Sequence, residues 1–224
     1  MKVRIFRRRR LKRARSRSWR FAQLFFLIAG LLLVGVAAST YVARYVYQGY
    51  QTWKFDRDLT VRRYEPPVPA PPPVSLQDGA LIGKIGIRRL GISAIVKEGV
   101  DAGTLGLAVG HIPSTALPGQ NGNVAVAAHR DTLFRNLKDV KRDDEITLTT
   151  LDGEYLYRVV SFQVVDPTNV AVLNSSPGEM TLTLVTCYPF YFVGHAPRRF
   201  IVRARQVGTN PLRLAGLGPA EEAN

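Results

Sequence analysis

An uncharged apolar run of 23 residues, from Phe21 to Ala43, constrains this chain more than any other feature. As a helix with a rise of ~1.5 Å per residue it would be roughly 34 Å long, which is enough to cross a hydrocarbon core of about 30 Å. Residues 1–20 contain 11 lysine and arginine residues and no acidic residue. Because such segments stay on the cytoplasmic side, the N-terminus is predicted to be cytoplasmic and the remaining chain to be exported.

A cleaved signal peptide is the alternative interpretation of the same segment. Val36-Ala37-Ala38 is similar to the small-residue site that signal peptidases cut. The apolar run is, however, longer than the ~7–15 residues of a typical signal-peptide core, so an uncleaved single-pass anchor is favoured. The lipid bilayer is therefore a predicted partner, and the basic segment can also contact anionic headgroups.

The distribution of charge argues against binding to nucleic acid. The formal net charge of the chain is +14, and residues 1–20 contribute +11 of it, which leaves +3 for the other 204 residues. A nucleic-acid-binding face needs its basic residues on the folded body. We therefore predict no nucleic-acid partner.

Composition divides the chain into consecutive segments. Between Tyr64 and Pro73, six of ten residues are proline, which favours a semi-rigid spacer over a helix or a sheet. The predicted segments are a cytoplasmic basic segment (1–20), a transmembrane helix (21–43), a juxtamembrane and proline-rich stalk (44–75), a folded domain (76–207) and a disordered tail (208–224).

The folded domain has the pattern of a mainly β protein. Short runs rich in Val, Ile, Leu and Thr, punctuated by Gly and Pro, predict strands at 81–87, 93–97, 124–129, 145–150, 155–165, 180–187 and 199–206. Short helical turns are predicted at 102–107, 132–137 and 169–173. Many short strands in about 130 residues favour a closed barrel or a sandwich.

Three reactive side chains stand at the ends of predicted strands. Side chains alternate between the two faces of a strand, and Cys187, His129 and Arg199 each fall on the face opposite the apolar core residues of their own strand. If the strands are neighbours, the three side chains line one outer groove, and the small Ala125 and Ala127 leave room for a bound chain. Cys187 is the single cysteine, so it cannot form an intramolecular disulfide, and an exported free thiol is open to oxidation. These points favour a chemical role for it.

Around these side chains the sequence resembles the sortases, the membrane-anchored cysteine transpeptidases of bacterial surfaces. Residues 183–187, TLVTC, match the Thr-Leu-x-Thr-Cys signature of that family. An upstream histidine ends the small-residue strand NVAVAAH (123–129), and a downstream arginine begins RFIV (199–202). The resemblance covers about residues 81–206 and is greatest to the class D sortases.

The resemblance implies an eight-stranded sortase-type β-barrel with short helices, preceded by one transmembrane helix, and makes 76–207 the catalytic domain. Cys187 matches the family's nucleophile, His129 its catalytic histidine and Arg199 its catalytic arginine. The implied reaction cleaves a C-terminal Leu-Pro-x-Thr-like sorting signal after the Thr. The acyl group then passes from the thiol to an amine.

Two assignments near the site stay open in the sequence. Arg198 is the nearest alternative to Arg199, because adjacent arginines leave the register open by one residue; the spacing to the following strand favours Arg199. Asp131 either orients His129 or caps the turn that begins at Thr132.

The residues around the thiol suggest further roles. Thr186 and Tyr188 flank Cys187 and are expected to contact the substrate. The aromatic segment 188–192 either walls the groove and shields a thioester from water or packs the end of the barrel. His111 and His195 are interpreted as loop residues without an assigned role.

No cofactor or metal is predicted, since the sequence has neither a His/Cys cluster with metal-ligand spacing nor a nucleotide-binding fingerprint. The resemblance implies two protein-surface partners: surface proteins that carry a C-terminal sorting signal, and an amine acceptor such as a peptidoglycan precursor or a pilin lysine. It also implies a location in the bacterial plasma membrane. Two other functions remain open, a thiol endopeptidase that hydrolyses the same signal and a non-catalytic envelope scaffold.

Overall fold

The computed structural model describes residues 17–62, 76–175, 178–192 and 194–211. It begins with one long helix, α1 (Arg17–Arg62). Eight strands follow: β1 (Leu81–Ile87), β2 (Ile92–Glu98), β3 (Val109–His111), β4 (Gly122–Ala127), β5 (Glu145–Thr149), β6 (Gly153–Val165), β7 (Met180–Tyr188) and β8 (Arg198–Pro211). The short elements between them are the helix α2 (Ala102–Leu107) and three 3-10 turns (Arg88–Leu90, Arg135–Asp139 and Val170–Leu173).

These strands close into a barrel in the order β1-β2-β3-β4-β7-β8-β6-β5, with β5 paired to β1. The predicted eight-stranded barrel is therefore confirmed. The β2–β3 and β4–β7 pairs are parallel, and the other neighbours are antiparallel. β7 lies between β4 and β8, so the strands that carry Cys187 and Arg199 and the strand that precedes His129 are neighbours.

Alternate residues of each strand build the barrel core, as the sequence pattern predicts. Leu182 and Leu184 of β7 and Val202 of β8 are completely buried, and Phe200 is nearly so. Burying one such side chain stabilises the fold by about 1.5–3 kcal/mol relative to leaving it exposed. The residues that face the other way in β4, β7 and β8 are left to form an outer face.

The second part of α1, residues 44–62, packs on the barrel and is not part of the stalk that was predicted from residue 44. Phe55 is 1% exposed. The Gln48 side chain accepts the N–H of Ile95 at 3.1 Å and donates to the carbonyl of Leu107 at 2.5 Å. It thereby links β2 to the end of α2, and residues from 44 onward belong to the same compact unit as the barrel. The proline-rich stretch lies outside the described residues.

The first part of α1 carries the apolar run. The helix between Trp19 and Val61 contains an 18-residue window with a mean hydropathy of 2.4, and none of that window is buried. By length and composition this helix is a candidate membrane span, and it includes the predicted 21–43. The preceding residues 1–16 lie outside the described part of the chain.

β8 is longer than the sequence predicts. It pairs with β6 from Arg199, opposite Val165, to Pro211, opposite Gly153. Residues 208–211 were predicted to belong to a disordered tail, but they are strand residues because β6 offers them backbone partners. The rest of that tail, residues 212–224, lies outside the described residues. β3 is a further strand that the sequence pattern did not predict.

Candidate active site

The end of β7 and the beginning of β8 bring a thiol and a guanidinium together. Cys187 and Arg199 are directly opposite each other in the antiparallel pair. Residues in this relationship share a face and have Cβ atoms about 4.5–5.5 Å apart. Both residues are half-buried. The thiol is therefore reachable from solvent and is not sealed in the core.

Arg198 lies on the other face of β8. It is opposite Tyr188 and is exposed. Hydrogen bonds from the backbone and side chain of Thr168 hold the pKa of Asp166 below its ordinary value, and the charge of Arg198 adds to this effect. Arg198 therefore interacts with Asp166, while its neighbour in sequence stands across from the thiol.

His129 follows β4 at the same end of the barrel. The parallel β4–β7 register ends with Ala127 beside Val185, and two further residues along both chains bring His129 beside Cys187. Ala128 continues this pairing, since its N–H donates to the carbonyl of Val185 at 3.2 Å. The imidazole is exposed. Histidine, cysteine and arginine thus lie on one outer face of three consecutive strands, as the sequence predicts.

The guanidinium of Arg199 retains donors that the described residues do not use. Its Nη1 donates to the carbonyls of Ala196 at 3.3 Å and Arg198 at 3.1 Å. Its Nε and Nη2 have no partner among the described residues. A planar cation with free N–H groups, placed across from a thiol, is suited to hold an oxyanion.

The turn that carries His129 is held by its own backbone and by the core. The carbonyl of His129 accepts the N–H of Phe134 at 3.1 Å, and the Phe134 ring is completely buried. The carbonyl of Asp131 accepts two hydrogen bonds from Arg135. Within the described part of the chain, the Asp131 carboxylate neither bonds His129 nor caps the turn at Thr132, so neither of the roles considered for it is seen.

The outer face of β4 and β7 is partly exposed next to Cys187 and covered further from it. Ala127 and Val185, the pair before the site, are half-buried. Ala125 is completely buried, because Thr115 lies against it and its hydroxyl accepts the Ala125 N–H at 3.2 Å. The room predicted at both alanines is therefore present only at Ala127. Among the described residues, no group of three or more His, Cys, Asp or Glu side chains is placed to hold a metal ion.

Comparison with known proteins decides the family. The family model for the sortase domain matches residues 85–207, which is more than half of the chain. This chain belongs to the sortase family. The resemblance read from the signature around the thiol is confirmed.

Individual relatives agree with this assignment. Sortase D of Bacillus subtilis (strain 168) is 32% identical over 131 residues, which cover 58% of this chain and 66% of that protein. Sortase A of Streptococcus agalactiae serotype III (strain NEM316) is 29% identical over 143 residues, covering 60% of this chain and 56% of that protein. The sortase spans between half and two thirds of the length of the curated relatives that it matches.

Solved structures of sortases share the barrel. A Clostridium perfringens sortase D5 transpeptidase superposes with a TM-score of 0.58 at 28% identity, covering 74% of this chain and 98% of that chain. Listeria monocytogenes sortase A gives a TM-score of 0.54 at 26% identity, covering 59% of this chain and 90% of that chain.

The two residues that flank the thiol in this sortase face inward, because side chains alternate along β7. Thr186 is 2% exposed, and its hydroxyl donates to the carbonyl of Ala128 at 2.7 Å. This hydrogen bond ties β4 to β7. The sequence analysis expected Thr186 to contact the substrate, but its buried side chain is not placed to touch a bound peptide. Tyr188 is half-buried and stacks on Phe200, with ring centroids 6.3 Å apart. Its contact with substrate stays a prediction.

The residues of the aromatic segment 188–192 do not all have the same surroundings. Phe190 packs against Phe200 with ring centroids 5.4 Å apart, so with Tyr188 it closes the end of the barrel. Tyr191 is 86% exposed and Phe192 is 44% exposed. These two exposed rings do not pack the barrel end, so the role as a wall beside the site stays a prediction for them.

His111 is not the loop residue that the sequence suggested. It ends β3 and is buried, with Nδ1 2.7 Å from a carboxylate oxygen of Glu98. Its Nε2 donates to the carbonyl of Ala116 at 3.0 Å. The pair fixes the segment after β3, whose Thr115 covers the outer face of β4. The sequence analysis missed the buried position of His111 because β3 has three residues, which is too short for an alternating pattern to be seen. His195 is exposed in the β7–β8 connection.

Proposed function

We propose that this sortase is a cysteine transpeptidase that cleaves a C-terminal Leu-Pro-x-Thr-like sorting signal after the Thr. The acyl group is held on Cys187 and is then transferred to an amine. The observation that carries the proposal is the direct cross-strand pairing of Cys187 with Arg199, with His129 reached by continuing the register of the next strand. Cys187 is the nucleophile, Arg199 the oxyanion donor and His129 the proton carrier.

In the first half-reaction the Cys187 thiol passes its proton to His129, and the sulfur attacks the carbonyl carbon of the signal's Thr. Negative charge moves to the carbonyl oxygen, where the unused N–H groups of Arg199 stabilise it. The C–N bond then breaks, and His129 donates a proton to the leaving amine. The product is a thioester between the substrate's Thr carbonyl and Cys187.

In the second half-reaction an amine attacks the thioester. The C–N bond forms, the C–S bond breaks, and the proton lost by the amine passes to His129. Arg199 stabilises the same oxyanion in this step. Surface proteins that carry the sorting signal are the acyl donors. A peptidoglycan precursor or a pilin lysine is the amine acceptor.

We further propose that α1 anchors the enzyme in the plasma membrane with its N-terminus in the cytoplasm and its barrel outside. The basic charge before the apolar run supports this orientation. Substrates tethered to the same membrane would meet the site at a raised effective concentration.

Product analysis tests the proposal on the full chain in detergent. A labelled Leu-Pro-x-Thr-x peptide is incubated with and without an amine panel of glycine peptides and lysine, and products are identified by mass spectrometry. Transpeptidation predicts a ligated product whenever an acceptable amine is present. Hydrolysis alone, with every amine, would instead establish a thiol endopeptidase. Absence of any thioester or cleavage would favour a non-catalytic scaffold.

A further inference from the structure

Arg130, from the turn that carries His129, contacts the loop that joins β7 to β8. The β7–β8 loop is described at residues 189–192 and 194–197. Nη2 of Arg130 donates to the carbonyl of Phe192 at 2.7 Å and to that of Gly194 at 3.1 Å. The same guanidinium lies over the Phe192 ring, 5.8 Å from its centroid, which adds a cation–π attraction.

The turn that supplies Arg130 is held by the core, whereas the loop packs on the core at Phe190 and is exposed from Tyr191 on. Phe134 fixes the turn in the core, and the carbonyl of Ala128 is bound by Thr186 of β7. The loop's own exposed residues, Tyr191, Phe192 and Gly194, have little core contact. Arg130 therefore holds a lightly anchored loop to a fixed base, directly after the catalytic histidine in sequence.

We propose that Arg130 is a positioning residue that holds the β7–β8 loop beside the thioester and limits the access of water to it. This inference rests on the proposed function. Because the loop begins two residues after Cys187 and ends two residues before Arg199, it borders the site, and we expect its placement to change how open the sulfur is to solvent. Arginine suits the task because its planar group reaches two neighbouring carbonyls and one ring at once, which a lysine ammonium does not.

If Arg130 limits the access of water, it changes how the thioester divides between reaction with an amine and hydrolysis. Attack by an amine breaks the C–S bond, forms a C–N bond and returns the thiol. Attack by water breaks the same bond and releases a carboxylic acid and the thiol. Both products arise from one intermediate, so their ratio does not depend on how much of the enzyme is folded or active. A merely structural role would leave that ratio unchanged.

The experiment uses the full chain in detergent, one labelled Leu-Pro-x-Thr-x peptide and one accepted amine at fixed concentration. The variants are Arg130→Ala, Arg130→Lys and Arg142→Ala. Arg142 is the matched control, since it is exposed on the same connection and has no hydrogen-bond partner among the described residues. Thioester formation and the ratio of hydrolysed to ligated product are both measured by mass spectrometry.

We expect Arg130→Ala to raise the ratio of hydrolysed to ligated product by about threefold or more because water enters the site. Arg130→Lys should give an intermediate ratio, and Arg142→Ala the wild-type ratio. An unchanged ratio in Arg130→Ala overturns the inference. So does a slower formation of thioester at constant ratio, which would place Arg130 in the acylation step. Failure of the wild-type protein to form a thioester would overturn the proposed function itself.

Discussion

Cys187 and Arg199 are cross-strand partners at the open end of the β7–β8 pair. The pairing has a direct consequence for adjacent residues, because a shift of one position moves a side chain to the other face of the sheet. Arg198 is accordingly opposite Tyr188 and interacts with Asp166. The two adjacent arginines, which the sequence alone does not distinguish, therefore have different surroundings.

Replacing the nucleophile should abolish the reaction without unfolding the barrel. Cys187→Ala removes the sulfur from a half-buried position at a strand end, so little packing is lost. We expect no thioester and no cleavage of a Leu-Pro-x-Thr-x peptide, with a circular dichroism spectrum like that of the wild type. Cleavage at an unchanged rate by this variant would contradict the role of Cys187.

The two arginines should separate in kinetics. Loss of an oxyanion donor typically slows the chemical step by about 100- to 1000-fold, and this is expected for Arg199→Ala in single-turnover measurements of thioester formation. Arg198→Ala is the matched control and should stay within about threefold of wild type, since surface charges contribute little. The opposite order would transfer the catalytic role to Arg198.

Part of this site was predictable because residues that alternate along a strand lie on opposite faces of the sheet. Alternation predicted the outward side of Cys187 and Arg199, and β1 begins and ends where the pattern placed it. Alternation could also have shown that Thr186 faces inward with Leu184. The order of strands could not be read in this way, because pairing depends on residues distant in sequence.

The features that sequence analysis missed depend on tertiary contacts. β3 has three residues, and Gly110 within it packs so closely that a Cβ there would lie 2.3 Å from the carbonyl oxygen of Gly99. Phe55 lies in a polar stretch of α1, and its ring is buried only because this part of the helix packs on the barrel. The sequence around it does not show that contact. The contacts of Arg130 likewise join residues more than 60 positions apart.

Residues 44–62 are expected to be needed for the stability of the catalytic domain. Phe55→Ala removes a completely buried ring, which typically costs about 3–5 kcal/mol and corresponds to a Tm lower by roughly 10 °C in a chain of this size. Tyr50→Ala, on the same helix but 59% exposed, should change Tm by much less. Thermal unfolding of the full chain in detergent measures both. Equal Tm values for the two variants would show that the helix is only a connector.

Acid should weaken an ion pair between a 3-10 turn and the start of β5. The hydrogen bond from Arg89, and a further one from the Lys141 backbone N–H, hold the pKa of Asp144 below its ordinary value. A carboxyl with a lowered folded-state pKa stabilises the protein above its unfolded-state pKa of about 3.9, and this stabilisation is lost as pH falls through the folded-state value. Asp144→Asn should therefore lower Tm clearly at pH 7 and much less near pH 2. A deficit that is independent of pH would contradict the charge-based explanation.

The buried pair of Glu98 and His111 should be far more sensitive to loss of the imidazole than to loss of the charge. The carbonyl of Ala116 only accepts, so Nε2 of His111 carries a proton, and Nδ1 faces the carboxylate. His111→Ala leaves a buried carboxylate without its partner, which typically costs about 3–5 kcal/mol. In Glu98→Gln the amide N–H₂ can donate to Nδ1 in place of the ion-pair contact while Nε2 keeps its bond, so a smaller loss is expected. Thermal unfolding of both variants in detergent measures the difference, and a Glu98→Gln protein as unstable as His111→Ala would show that the negative charge itself is required.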